Sequence, residues 1–267
     1  MTPILDEEGV ALFSISYDTT AVLADFAERE GITFPMLSDV GSKVISALGL
    51  RNDRVHEQHA VFGFKPNPRN EGVPYPGVFA LAEDGTITER RFFDLYRERE
   101  TGPGLIERIL GIDSGLDGPQ LTSKAGRTSV TVRLDSADYK SNQRVWLYAD
   151  IALDENSHVL AAGNPETYVP LAVEIDAVDG VFAGDPEWPE PTPFRLEGES
   201  SDLLVHEGRV RGTVPLRFHS ASGAGDITIT GRVRLQICTA TMCDLPGSVE
   251  FTLPISAGRL VVPAPKT

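Results

Sequence analysis

Cys238 and Cys243 are the only cysteines in this 267-residue chain, and no other side chains in it offer thiol redox chemistry. Four residues separate them. On the two arms of a hairpin they would face each other, with Cβ atoms close to the separation a disulfide needs. Pro246 limits ladder pairing just past the second cysteine. Such a ring is short, so closing it stabilises the fold less than a long-range bridge would. A bridge of small structural value is easier to understand as an exchangeable one. No Lys or Arg lies within the loop and Asp244 is acidic, so neighbours do little to favour a thiolate. On the residues alone the pair reads as exchange-active, as a static bridge, as two inert thiols, or as half of a metal site.

The metal reading needs two further ligands. The histidines are scattered: His56, His59, His158, His206 and His219. His56 and His59 have helical spacing but sit in an Arg/Glu-rich loop, where a surface role is expected. No phosphate-binding, dinucleotide-binding, zincin or nucleophile-elbow motif appears, so no metal and no cofactor are expected. The net charge of −15 is spread along both halves of the chain. It repels phosphate backbones and anionic bilayers, which argues against nucleic-acid partners. No apolar run reaches the length of a membrane span, so no membrane insertion is expected.

The elements that must position these residues fall into two patterns. Residues 1–113 alternate strand and helix signals, an α/β order. A buried strand is expected over 9–16 and a helix over 19–30, capped by Asp18 and ended by Gly31, with Val22, Leu23, Phe26 and Ala27 inward. A second helix is expected after Ser38 or Asp39, with Val44, Ile45 and Leu48 inward. Residues 51–76 read as a long loop. Strands over 78–81 and 86–93 flank a Glu83-Asp84-Gly85 turn, and a helix over 105–110 closes the unit. Residues 114–127 (SGLDGPQLTSKAGR) read as a linker. From 128 to 257 the periodicity becomes two, with strands over 129–134, 145–153, 169–175, 210–218, 227–237 and 249–253 and a Pro-rich loop over 183–193. That pattern predicts an all-β sandwich. Residues 258–267 read as a tail.

GVALFSISYD at 9–18, LADFA at 23–27, ITFPMLSD at 32–39 and PYPGVFALAEDG at 74–85 together resemble the AhpC/TSA redoxin family, a peroxiredoxin-like branch of the thioredoxin fold. The resemblance implies that Pro76 precedes the hairpin strand beside the redoxin site, with a cis bond before it. It also implies a catalytic cysteine on a strand–helix unit preceding the strand at Val10. Residues 1–237 contain no cysteine, so the thioredoxin-like domain is expected to be incomplete. A missing upstream segment is expected, the chain being a fragment or having a misassigned start at Met1, and peroxidase activity from this chain alone is not expected.

VRLQICTATMCDLP at 233–246, with GTVPLRF at 212–218 and FTLPI at 251–255, resembles the amino-terminal, immunoglobulin-like domain of the DsbD thiol:disulfide interchange family. The resemblance implies thiol–disulfide exchange at Cys238 and Cys243, with Cys243 attacking. It also implies thiol/disulfide proteins as partners, Phe194 as the aromatic of a cap over the cysteines, and an extracytoplasmic setting. The amino terminus carries no signal-peptide pattern to match that setting. The alternative is a non-catalytic binding or scaffold protein with a structural disulfide.

Overall fold

In the computed structural model, residues 2–258 are described apart from 62, 64, 114, 116, 117, 127, 199 and 220–224. The chain divides into two units, Met1–Ser114 and Gly115–Thr267.

The first unit runs α1 (Thr2–Glu7), β1 (Ser14–Ser16), α2 (Thr20–Glu30), β2 (Met36–Ser38), α3 (Lys43–Ala47), α4 (Val55–Val61), β3 (Gly77–Leu81), β4 (Ile87–Phe92), β5 (Arg99–Glu100) and α5 (Gly102–Leu110). Its helix ends follow local chemistry. Thr19, and not Asp18, caps α2 by accepting the N–H of Val22, while Gly31 ends the helix in the left-handed region that favours glycine. Asp18 instead accepts the Ser16 hydroxyl at 2.6 Å. Thr101 and Gly111 bracket α5 in the same way. β1 and β2 pair in parallel, and β3 and β4 form an antiparallel hairpin. The Asp84 carboxylate accepts the N–H of Thr86 at 2.9 Å in the hairpin turn.

Three further expectations fail here. The buried strand expected over 9–16 is confined to β1, and Phe13 and Ile15 are 57% and 38% exposed. Residues 51–76 are not all loop: Asn52 accepts the N–H of Arg54 at 3.0 Å, and α4 follows. The inward faces of α2 and α3 are also narrower than expected. Leu23 and Ile45 are buried, whereas Val22, Val44 and Leu48 are exposed. Each of these helices has one buried residue, and apolar spacing alone does not say how much partner surface is present.

Asp39 anchors α3. Its carboxylate accepts the N–H groups of Lys43 at 3.1 Å, Val44 at 3.2 Å and Ile45 at 2.9 Å. These bonds, that of Ile45 foremost, hold the Asp39 carboxyl below the ordinary carboxylate range. A lowered folded-state pKa contributes stability that is complete above the unfolded value, about 3.9. That stability is lost as pH falls through the folded-state pKa. Asp39→Asn is therefore expected to lower the stability of the first unit at neutral pH and to flatten its loss below about pH 4. Unfolding midpoints measured across that range check this, and coincident curves for the two proteins would refute it.

The second unit is built of strands, with no helix among its described residues. In order these are β6 (Gln120–Ala125), β7 (Thr128–Leu134), β8 (Asp138–Tyr139), β9 (Gln143–Ala152), β10 (His158–Leu160), β11 (Ala172–Ile175), β12 (Val181–Ala183), β13 (Thr192–Phe194), β14 (Leu203–Glu207), β15 (Arg209–Phe218), β16 (Ile227–Leu235), β17 (Ile237–Cys238) and β18 (Gly247–Ala257). They form three sheets with orders β12-β15-β9-β7-β6, β11-β16-β18-β8 and β13-β14-β10-β17. Alternation places Val130, Val132 and Leu134 of the first sheet in one buried cluster with Ile229, Val233 and Leu253 of the second. Gly231 admits a close approach: a Cβ there would lie 2.2 Å from the Glu174 carbonyl oxygen.

The stretch read as a linker supplies β6, which pairs with β7 from Gln120↔Arg133 to Ala125↔Thr128. Alternating Leu121, Ser123 and Ala125 were hidden among turn-forming residues, and an edge strand needs only one partner. The Pro-rich stretch also yields strand at its ends, Ala183 in β12 and Thr192 and Pro193 in β13. Of the expected tail, Gly258 donates its N–H to the Tyr139 carbonyl at 2.8 Å, and residues 259–267 lie outside the described residues.

Candidate functional site

One strand changes sheets at Gln236. Up to Leu235, β16 pairs with β18, ending at Leu235↔Gly247. Beyond Gln236 the chain continues as β17 and pairs with β10, Ile237 opposite Val159 and Cys238 opposite His158. The buried Gln236 side chain holds the switch: its Oε1 accepts the N–H of Val169 at 2.9 Å, and its Nε2 donates to the Asp244 carbonyl at 3.1 Å. Residues 236–246 thus rise as a small secondary hairpin above the β16–β18 pair. Asp244 N–H donates to the Ile237 carbonyl and Thr239 N–H to the Met242 carbonyl, both at 2.8 Å.

Across this hairpin Cys238 and Cys243 are joined by a disulfide, with Cα atoms 3.9 Å apart. The two sulfurs sit in different surroundings. Cys238 is 2% exposed and belongs to a cluster with Leu160, Leu196, Leu203 and Val205. Cys243 is half-buried at the edge of that cluster. Its neighbours Met242 and Leu245 are 59% and 92% exposed.

Phe194 packs against the same cluster as the two cysteines, as does Tyr168. The Phe194 ring lies against the His158 imidazole, centroids 3.9 Å apart. The segment following Phe194 is tied to the cysteine hairpin by a hydrogen bond from Glu197 N–H to the Ala240 carbonyl at 3.0 Å. His158 Nδ1 lies 3.0 Å from Glu207 Oε1. His206, next in chain to Glu207, alternates to the other face near Trp188, and burial pushes its imidazole pKa below the ordinary value. Sequence reasoning missed His158, Glu207 and Gln236. A His alternating with core residues in a three-residue strand gives no periodic signal.

Pro76 behaves differently from the expectation. No cis peptide bond occurs among the described residues. Tyr75 N–H donates to the Leu50 carbonyl at 2.7 Å, and the Pro76 carbonyl accepts the N–H of Phe93 at 2.9 Å. These bonds run the chain extended into β3, which suits a trans bond. His59 is likewise not a surface residue. It is buried in α4, its ring 4.7 Å from that of Tyr96, and burial foremost pushes its pKa below the ordinary value, with His56 and Arg97 adding to this. Among the described residues no group of three or more His, Cys, Asp or Glu side chains is arranged to hold a metal ion. No described helix is long and apolar enough to cross a membrane.

The first unit joins a parallel strand pair, capped helices and the β3–β4 hairpin. Residues 2–90 match the AhpC/TSA family. The AhpC/TSA match ends within β4 and contains no cysteine. Among solved structures, the N-terminal periplasmic domain of ScsB from Proteus mirabilis is similar at 14% identity and a TM-score of 0.38, over 52% of this chain and 52% of that one. The N-terminal domain of Neisseria meningitidis DsbD in its reduced form is similar at 14% identity and a TM-score of 0.29, over 57% of this chain and 94% of that one. This chain thus spans about half the length of the first. No curated protein matches the chain.

Proposed function

We propose that the chain carries out thiol–disulfide exchange through Cys238 and Cys243. In this reading the AhpC/TSA-matching segment forms a thioredoxin-like unit and the strands after it an immunoglobulin-like sandwich of the DsbD type. The observation that carries it is the asymmetry of one short-loop disulfide: Cys238 is buried, whereas Cys243 is half-buried beside exposed Met242 and Leu245. Exchange needs that arrangement, because one sulfur is attacked from outside and the other leaves and later resolves.

With a dithiol partner, a partner thiolate attacks the Cys243 sulfur, and the Cys238–Cys243 bond breaks with both its electrons on Cys238. A partner–Cys243 mixed disulfide results. The second partner thiol then attacks the partner's own sulfur. This releases reduced Cys243 and leaves the partner oxidised by two electrons. Run backwards, the reduced pair reduces a partner disulfide. Phe194 and the segment hydrogen-bonded to Ala240 restrict approach to the bridge, so only a partner that seats beside Met242 and Leu245 reaches it. Thiol/disulfide proteins are the partners this arrangement suits, and an oxidising extracytoplasmic space suits a bridge kept oxidised between turnovers.

The test is a redox equilibrium on the intact chain. Across a series of thioredoxin and glutathione poises, the free-thiol content is expected to titrate through a two-electron step. A bridge that stays closed below about −300 mV, as structural disulfides do, would overturn the proposal in favour of a scaffold with a static bridge.

A further inference from the structure

Resting on that reading, we propose that His158, whose Nδ1 lies 3.0 Å from Glu207 Oε1 without hydrogen-bond geometry, takes the proton from the Cys238 thiol when the reduced pair closes on a mixed disulfide. Three strands place the groups in a row. Glu207 on β14 is the register partner of His158 on β10, and His158 is the register partner of Cys238 on β17. Directly opposed side chains in antiparallel strands have Cβ atoms about 4.5–5.5 Å apart and share a face. Val159 and Ile237, which alternate with them, point the other way into the main core.

The chemistry needs such a group. Resolution requires Cys238 as a thiolate. Yet its described cluster neighbours Leu160, Leu196, Leu203, Val205, Phe194 and Tyr168 are apolar or aromatic, and burial of this kind disfavours the charged form. The 2% exposure leaves little access for water to remove the proton. His158 is the basic side chain that the sheet sets opposite Cys238. Of the groups around it, Glu207 from β14 is charged and lies 3.0 Å away, while Phe194 from β13 and Cys238 from β17 are uncharged. His206 of β14 faces away. A carboxylate close to an imidazole that in turn serves a sulfur follows the general logic of a base beside its nucleophile.

The step balances. The Cys238 S–H proton moves to the His158 imidazole. The Cys238 sulfur attacks the Cys243 sulfur, the Cys238–Cys243 bond forms, and the Cys243–partner bond breaks with its electron pair on the partner sulfur. His158 then returns the proton to the departing thiolate or to solvent. Glu207 acts through His158 and is a positioning residue.

The experiment uses the full chain loaded at Cys243 with glutathione, following release of glutathione in a single turnover across pH. Wild type is expected to close the ring at a rate that depends on pH. His158→Gln is expected to slow closure by about 10²-fold, the lower range for removal of a general base, and to change that pH dependence. Glu207→Gln, at a more exposed position, is expected to slow closure less. If His158→Gln does not fold, as judged by its thermal transition, Glu207→Gln carries the test alone. Closure with unchanged rate and pH profile in the folded variants would overturn the inference and leave the exchange reading intact. Failure of the wild type itself to release glutathione would overturn the exchange reading instead.

Discussion

Replacing Cys243 with serine is expected to abolish exchange with glutathione or thioredoxin, while Cys238→Ser leaves a chain that reacts once and stays trapped. The difference follows from exposure. Cys243 stands at the edge of its cluster, and Cys238 is 2% exposed within it. With Cys238 gone, the Cys243 thiol still attacks a disulfide, but nothing nearby resolves the product, and a mixed disulfide accumulates. With Cys243 gone, the remaining thiol is buried within its cluster. Neither change should unfold the unit. For a loop this short, the chain-entropy estimate of the lost bridge is about 2 kcal/mol, against total stabilities of about 5–15 kcal/mol for typical domains. Mass analysis under non-reducing conditions reads the adducts directly. A persistent adduct on Cys243→Ser, or turnover by either variant, would contradict the assignment of roles.

Phe218→Ala is expected to cost about 3–5 kcal/mol, the largest stability loss anticipated for this protein. Phe218 closes β15, is fully buried, and stacks on Tyr139 with ring centroids 4.5 Å apart. Its carbonyl accepts the Asn142 N–H at 2.6 Å, so the backbone there has little freedom to collapse into the cavity. The contrasting change is Phe182→Ala on β12. That ring is 54% exposed, and its loss is expected to fall within about 1 kcal/mol. Urea titrations of the two variants compare them directly. Equal shifts would mean that the β9–β15 region does not carry the core.

Both expectations bear on how much of this protein is legible in its sequence. Phe218 belongs to a strand that alternation located, because period-two burial is written into each strand by its own residues. The same holds for the Asp84-Gly85 turn, Gly31 after α2, the Asp39 anchor of α3 and the reach between two cysteines across a tight hairpin. Each depends on residues within a few positions of one another. Where the signal was diluted, it failed. β6 lay among Gly, Pro and Ser, α4 among charged residues, and β10 and β13 were too short to show any period.

The residues alone therefore determined that two cysteines within reach of each other across a tight turn sit in a strand-rich unit, behind an α/β segment that resembles AhpC/TSA proteins. They also determined that no thiol precedes Cys238. Only the tertiary structure decided that Cys238 is buried and Cys243 half-buried. It also decided that the strand changes sheets at Gln236, and that Glu207, His158 and Cys238 stand in one row. The reason is physical. Caps, turns and alternation are fixed by contacts between near neighbours in the chain, whereas strand adjacency is chosen by which faces bury together. That choice joins β10 to β17 across a long stretch of sequence that carries no local mark of it.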